Sequence, residues 1–197
     1  IGSGLVGSEM CIRDRGRPAG DGLITIRETD RMLVLSCEQF TYVFNKLTGL
    51  FDKMTFANEP LLDQPMGFNV WRAPTDNDRK LKADWYAAHY DHAATNAYHT
   101  EYTVTASGVT LHTHVGIAAI CVQKFLDLDV TWTVADNGSV DLALHAQRNT
   151  VFPELPRFGL RLFLPQEMSQ VNYYGMGPME CYCDKHHACL LYTSPSP

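Results

Sequence analysis

The chain has no run of basic residues, no low-complexity segment inside Leu33 to Ala188 and no apolar stretch long enough to cross a bilayer. A membrane span needs about 20 consecutive apolar residues. Only 19% of the 197 residues are charged, and the formal net charge is −6. A nucleic-acid surface needs clustered Lys and Arg, so nucleic acid is not an expected partner, and neither is a membrane, since no basic amphipathic helix is present. No solenoid or propeller period emerges, and no strand–helix alternation of the kind that builds a (β/α)₈ barrel. The six cysteines give no obvious disulfide framework. Cys11 and Cys189 lie near the ends, Cys37 and Cys121 stand alone, and Cys181 and Cys183 are too close for an ordinary zinc or redox pair. Reduced thiols in a cytoplasmic protein are the simpler reading.

Hydrophobic residues make up 45% of the chain, enough for one folded domain with a sizeable core. The pattern is that of an all-β, antiparallel protein. Val34 to Cys37, Phe40 to Asn45 and Leu50 to Phe56 are rich in β-branched and aromatic residues, and Lys46-Leu47-Thr48-Gly49 supplies a turn. Glu101 to Thr105 and Val109 to Val115 flank Ser107-Gly108. Cys121 to Val134 and Val140 to Gln147 flank Asp136-Asn137-Gly138-Ser139, where Asn-Gly tolerates positive φ. Alternation in Thr110 to Val115 and in Asp127 to Trp132 predicts a sheet with one buried and one wet face. Only Arg79 to His92 has helical character, with Leu81, Trp85, Ala88 and His89 on one stripe. A large sandwich with one short helical insert is expected.

The most informative segment is Phe68-Asn69-Val70-Trp71-Arg72-Ala73-Pro74-Thr75-Asp76-Asn77-Asp78-Arg79. An apolar, strand-like run meets Pro74, which fixes its own φ and keeps Ala73 out of the helical region. Asp76, Asn77 and Asp78 favour a turn. Arg72 is expected to pair with Asp76 or Asp78, either as a structural clamp or as a polar ligand-binding corner.

A second block runs from Pro156-Arg157-Phe158-Gly159-Leu160-Arg161 through Val171-Asn172-Tyr173-Tyr174 into Gly175-Met176-Gly177-Pro178-Met179-Glu180-Cys181-Tyr182-Cys183-Asp184-Lys185. In this order the two blocks resemble the C-terminal β-sandwich, the small-chain or fifth domain, of large LacZ-type β-galactosidases in glycoside hydrolase family 2. The resemblance covers roughly Leu33 to Ala188. It implies a galactose-mutarotase-like supersandwich, here truncated at its C-terminal side. Its structural motif positions are Arg72, Pro74, Asp76, Asn77, Asp78, Gly175, Gly177, Pro178, Glu180, Tyr182 and Asp184. Ile1 to Arg15 and Cys189 to Pro197 resemble translated adapter sequence and are expected to be non-native and to stay out of the core. Gly16 to Ala188 is then a partial sandwich.

The resemblance implies a parent enzyme that hydrolyses terminal β-D-galactosides such as lactose with retention, and that is homo-oligomeric at full length. A retaining glycosidase needs two carboxylates about 5 Å apart. In the family they come from a barrel ahead of the sandwich, so no catalytic residue has a matching position here. The family's magnesium and sodium also belong mainly to that barrel region, so no cofactor or metal is expected in this segment. Its partners are the rest of its own chain and the galactoside. The sandwich's sugar-contacting aromatic lies beyond this sequence, and no carbohydrate-binding residue is assigned. The isolated chain is expected to be inactive, its role being to support the barrel and the substrate pocket.

Two other readings stay open: a free-standing carbohydrate-binding sandwich, and an aldose epimerase-like enzyme. The epimerase needs a His acid and a Glu base in a groove, and His145 is the candidate. His112 with His114, and His89 with His92, have metal-compatible spacing, although solvated faces explain both pairs. His186 and His187 read as solvated. Trp71, Trp85, Trp132, Tyr173 and Tyr174 are the aromatics able to stack on a sugar. Trp71 and Trp132 read as core residues, while for Trp85 and Tyr86, on the helical insert, a groove-facing position is the alternative to a structural one. Glu180 and Asp184 read as partners of Arg157 or Lys185.

Overall fold

The computed structural model describes residues 24–120, 122–176 and 190–193. They fall into two units, one ending at Phe163 and the other beginning at Leu164. The larger unit is built from antiparallel strands, as the alternation demands. The strands β1 (Thr25–Glu28), β2 (Met32–Ser36), β3 (Phe40–Asn45), β4 (Leu50–Phe56) and β5 (Glu59–Pro60) form one meander in sequence order. A second sheet has the order β10-β9-β8-β7, from β7 (Ala93–Thr105), β8 (Gly108–Ala119), β9 (Leu126–Ala135) and β10 (Val140–Arg148). A third pair joins β6 (Gln64–Asn69) to β11 (Gly159–Phe163).

The core lies where inward rows of the first two sheets meet. Leu33 and Leu35 from β2, Tyr42 and Phe44 from β3, and Phe51 from β4 share one buried cluster with Val109, Leu111 and Val115 of β8 and with Leu128, Val130 and Trp132 of β9. Leu111 stands opposite Trp132 and Val115 opposite Leu128, so period-two patterning on two strands fills one face. Phe51 meets Trp132 edge-to-face, with centroids 5.2 Å apart. Polar atoms of the core are also paired. The Trp132 indole N–H donates to the Gly49 carbonyl at 3.0 Å, and the Tyr42 hydroxyl donates to the Gly138 carbonyl at 2.7 Å. Both acceptors lie in tight turns with positive φ, +73° at Gly49 and +80° at Gly138. A Cβ at Gly49 would sit 2.7 Å from a Val115 methyl, and one at Gly138 would sit 2.9 Å from the Phe56 ring. Glycine is therefore required there for conformation and for space.

Several expectations are corrected. The helical insert shrinks to α1 (Lys82–Ala87), flanked by 3₁₀ turns at Asp76–Asp78 and Tyr90–His92. His89 adopts φ 56°, which ends the helical path, so it does not continue the stripe. Trp85 and Ala88 are buried, whereas Leu81 is 44% exposed and His89 is exposed. Tyr90, outside the expected stripe, is fully buried instead. The strand read from Cys121 starts only at Leu126, because Phe125 first turns its N–H to the Ile117 carbonyl at 3.1 Å. The strand read from Glu101 begins at Ala93, and a bulge between Ala97 and His99 obscures its alternation. The corner's strand stops at Asn69, before Val70 and Trp71.

The smaller unit contains β12 (Tyr173–Met176) paired antiparallel with β13 (Leu190–Thr193). Gly175 lies in β12 opposite Leu191. Gly177, Pro178, Glu180, Tyr182 and Asp184, with His186 and His187, lie outside the described residues, as do Ile1 to Arg15. Among the described residues no helix is long and apolar enough to cross a membrane.

Candidate functional site

The two sequence blocks meet in space. β6, which leads into the Arg72 corner, pairs with β11, which follows Pro156 and Arg157: Asn69 stands opposite Gly159 and Phe68 opposite Leu160. Phe68 and Phe158 stack at 5.9 Å across this pair.

At the corner, the Arg72 guanidinium grips the Asp78 carboxylate in a two-pronged pair, Nη1–Oδ2 2.5 Å and Nη2–Oδ1 2.9 Å. Its Nε donates to the Pro156 carbonyl at 3.1 Å, and its Cζ lies 5.2 Å from the Trp85 ring centroid. The planar fork thus serves a carboxylate, a carbonyl and an aromatic face together, which a Lys ammonium could not do. Asp78 is only 7% exposed and also accepts from the Thr75 N–H at 2.7 Å and the Thr75 hydroxyl at 2.8 Å. The Arg72 hydrogen bonds, then those of Thr75, hold its carboxyl far below the usual carboxylate range. Of the two acids open to Arg72 in the sequence, the folded corner uses Asp78. Asp76 and Asn77 sit exposed on the 3₁₀ turn, and Pro74 is half-buried.

A feature the sequence did not reveal adjoins this corner. The segment Phe152-Pro153-Glu154-Leu155-Pro156 has no regular structure, yet four side chains donate to its carbonyls. Arg148 reaches Phe152 at 2.7 Å, Tyr90 reaches Pro153 at 2.6 Å, Trp85 reaches Glu154 at 2.9 Å, and Arg72 reaches Pro156 at 3.1 Å. Two prolines remove two backbone donors and so interrupt any regular ladder through this segment, and its carbonyls are met by side chains instead. Side chains from β10, the helical insert and the corner supply the donors. The only hint in the sequence is the polar tip that a buried Tyr, Trp or Arg must satisfy. Trp85 is therefore a buried fastening rather than a groove-facing aromatic. Tyr86 is 47% exposed, with its ring 5.2 Å from that of the half-buried Trp71. Trp132 is a core residue.

Three of the described histidines, His99, His114 and His145, fall in one cross-strand row with Asp129. His112 and His114 point outward from β8. The His112 Nδ1 lies 3.0 Å from the Thr131 hydroxyl, whereas His114 lies between Asp129 at 2.9 Å and Asp127 at 3.2 Å. Asp127 also contacts the Lys124 ammonium at 2.5 Å, which raises that amine's pKa. His145 is exposed on β10 opposite Asp129. An outward position at the end of the sheet gives an epimerase-type acid no concave site. Among the described residues no group of three or more His, Cys, Asp or Glu is placed to hold a metal ion.

A groove of about 360 Å³ opens along β11 beside the end of β6, lined by Asn69, Arg157, Phe158, Gly159, Leu160, Arg161 and Leu162. A second groove, of about 470 Å³, runs between α1 and the loop at Val151–Pro153, with Asp84 as its charged lining residue.

Comparison with known proteins adds to this geometry. A family model described as Beta galactosidase small chain matches residues 36–193. The β-galactosidase of Actinobacillus pleuropneumoniae is 38% identical over 153 residues, 78% of this chain and 15% of that enzyme. The β-galactosidase of Staphylococcus xylosus is 32% identical over 188 residues, 95% of this chain and 19% of that enzyme. That of Pseudoalteromonas haloplanktis is 26% identical over 84% of this chain. The chain therefore spans less than a fifth of the length of the first two relatives.

Proposed function

Because the chain belongs to the β-galactosidase small-chain family, we propose that it serves as the accessory β-sandwich of a β-galactosidase. The parent would hydrolyse terminal β-D-galactosides such as lactose. This segment would brace the catalytic domain and help shape the substrate pocket, without supplying the catalytic carboxylates. The supporting observation is the match over residues 36–193, within a stretch that is under a fifth of the length of the first two relatives. The arrangement of the acids agrees with a bracing role. Asp78, the most buried carboxylate among the described residues, is committed to Arg72 and Thr75, and a nucleophile or proton donor must be free to meet a substrate. In this reading magnesium and sodium are held by the rest of the parent, the parent is a cytoplasmic homo-oligomer, and the partner of this segment is the remainder of its own polypeptide.

The test is hydrolysis of a chromogenic β-galactoside by the isolated chain. Background turnover is expected. Turnover abolished by changing a single carboxylate of this chain would overturn the reading.

A further inference from the structure

The Pro156–Arg161 block stands out in the sequence, yet the corner uses only its first residue, through the Pro156 carbonyl. Its two arginines remain. Arg157 makes no hydrogen bond or ion pair among the described residues, and Arg161 only places its guanidinium 5.7 Å from the Phe163 ring centroid. Both are exposed and line the same groove of about 360 Å³. In an acidic chain of net charge −6, two neighbouring cations with no acid on either among the described residues are conspicuous.

The backbone around them is equally open. Gly159 pairs with Asn69 and Arg161 with Gly67, so these four residues share the outward face of β6–β11. A Cβ on Gly67 or Gly159 would meet nothing within 4 Å. Neither glycine is needed for packing inside this unit, and both leave the main chain bare for close approach from outside. The pairing register also shifts between Arg161 and Phe163, and such a bulge re-aims side chains at a strand edge.

The geometry points to this face as the docking surface for a carboxylate-bearing segment of the rest of the β-galactosidase polypeptide, with Arg157 and Arg161 as its charge-complementary contacts. This rests on the proposed role as an accessory sandwich. More than four-fifths of each of the two first-named relatives lies outside the match, so ample polypeptide exists to fill the groove. A planar guanidinium pairs with a carboxylate through two parallel hydrogen bonds, and the bare glycine backbone admits the chain that carries it.

The test adds the 197-residue chain to the Actinobacillus pleuropneumoniae β-galactosidase from which the matching segment has been removed. Calorimetric titration should show binding that weakens about tenfold or more in the R157E/R161E double variant. The unfolding midpoint of the isolated double variant should be unchanged. Binding unaltered by the double variant would overturn the docking surface and leave the accessory role standing. No binding by the unsubstituted chain would overturn both. Loss of stability in the isolated variant would show that the arginines serve this unit internally, which also overturns the inference. A second probe does not depend on the shortened relative. A blocked hexaglutamate peptide should shift the amide resonances of Gly67, Asn69, Gly159 and Arg161, and the double variant should abolish those shifts. Equal shifts with inorganic phosphate at matched ionic strength would reassign the groove to free anions, and shifts elsewhere or none would refute it.

Discussion

Replacing Tyr42 with Phe isolates one hydroxyl in the middle of the sandwich. Tyr42 is 1% exposed, and its hydroxyl bridges the two sheets by donating to the Gly138 carbonyl at 2.7 Å. The ring itself stacks on Phe40 at 4.5 Å and meets Phe51 edge-on at 6.1 Å, contacts that Phe retains. The substitution therefore removes a hydrogen bond and strands a carbonyl, at a cost of about 1–2 kcal/mol near neutral pH. A second consequence is a pH dependence. Burial first, and then the nearby Cys37, push the phenol from 10.0 up to about 12. The folded protein thus resists forming phenolate, while the unfolded chain does not. That contribution is fully present below pH 10 and is lost as pH rises through about 12. A shift of this size gives a loss of about 1.4 kcal/mol by pH 11. Tyr90, also raised by burial, stays in both proteins and cancels in the difference. Urea unfolding followed by far-ultraviolet circular dichroism should show wild type ahead by about 1–2 kcal/mol at pH 8 and nearly level with Y42F at pH 11. A stability difference that is the same at both pH values would refute the reasoning.

Other outcomes follow from the corner and the turns. Arg72→Ala should lower the denaturation midpoint of the isolated chain, and in a full-length enzyme it should lower the yield of folded protein more than the activity per folded molecule. Unchanged stability with lost activity would make the corner a ligand site instead. Asp78 is held below its ordinary value of 3.8, so its contribution is present above that pH and is lost as pH falls through the depressed value. The acid limb of stability measured by chemical denaturation should accordingly flatten in Arg72→Ala. Trp85→Phe should cost about 1 kcal/mol by losing the donor to the Glu154 carbonyl, with the same chromogenic background in the activity assay. Gly138→Ala should destabilise by about 1 kcal/mol or more, since φ +80° and the Phe56 ring at 2.9 Å both oppose a Cβ. Calorimetric melting of the two chains would test it.

Strands were legible in the sequence where one face is dry and the other wet. In Thr110 to Val115 and Asp127 to Trp132 the alternation places every other side chain correctly, because burial and pleat share a period of two. The Asp136–Ser139 and Lys46–Gly49 turns were legible for the same local reason: glycine marks a positive φ. The corner was legible as a charged clamp, but Asp76 and Asp78 are equivalent in composition, and only the 3₁₀ turn decides that Asp78 faces Arg72. β7 was half-read because its Ala-rich first part and its bulge carry no alternation. The pairing of β6 with β11 and the fastening of Phe152 to Pro156 were not legible at all. They join residues far apart in the chain, and side-chain donors to main-chain carbonyls leave no periodic mark.

That fastening also sets an order of events. Its acceptors are paired with Tyr90, Trp85 and Arg72, which lie 63, 69 and 84 residues earlier. Bringing such distant partners together carries a large loop-closure entropy, which is recovered only after the intervening strands have paired. The strap is therefore expected to close late, past the folding barrier, and stopped-flow unfolding and refolding of Trp85→Phe would check it. Weakening the strap should then accelerate escape from the native state while leaving the rate of reaching that state nearly untouched. On that expectation, substitutions at these three side chains should shorten the lifetime at elevated temperature more than they slow assembly.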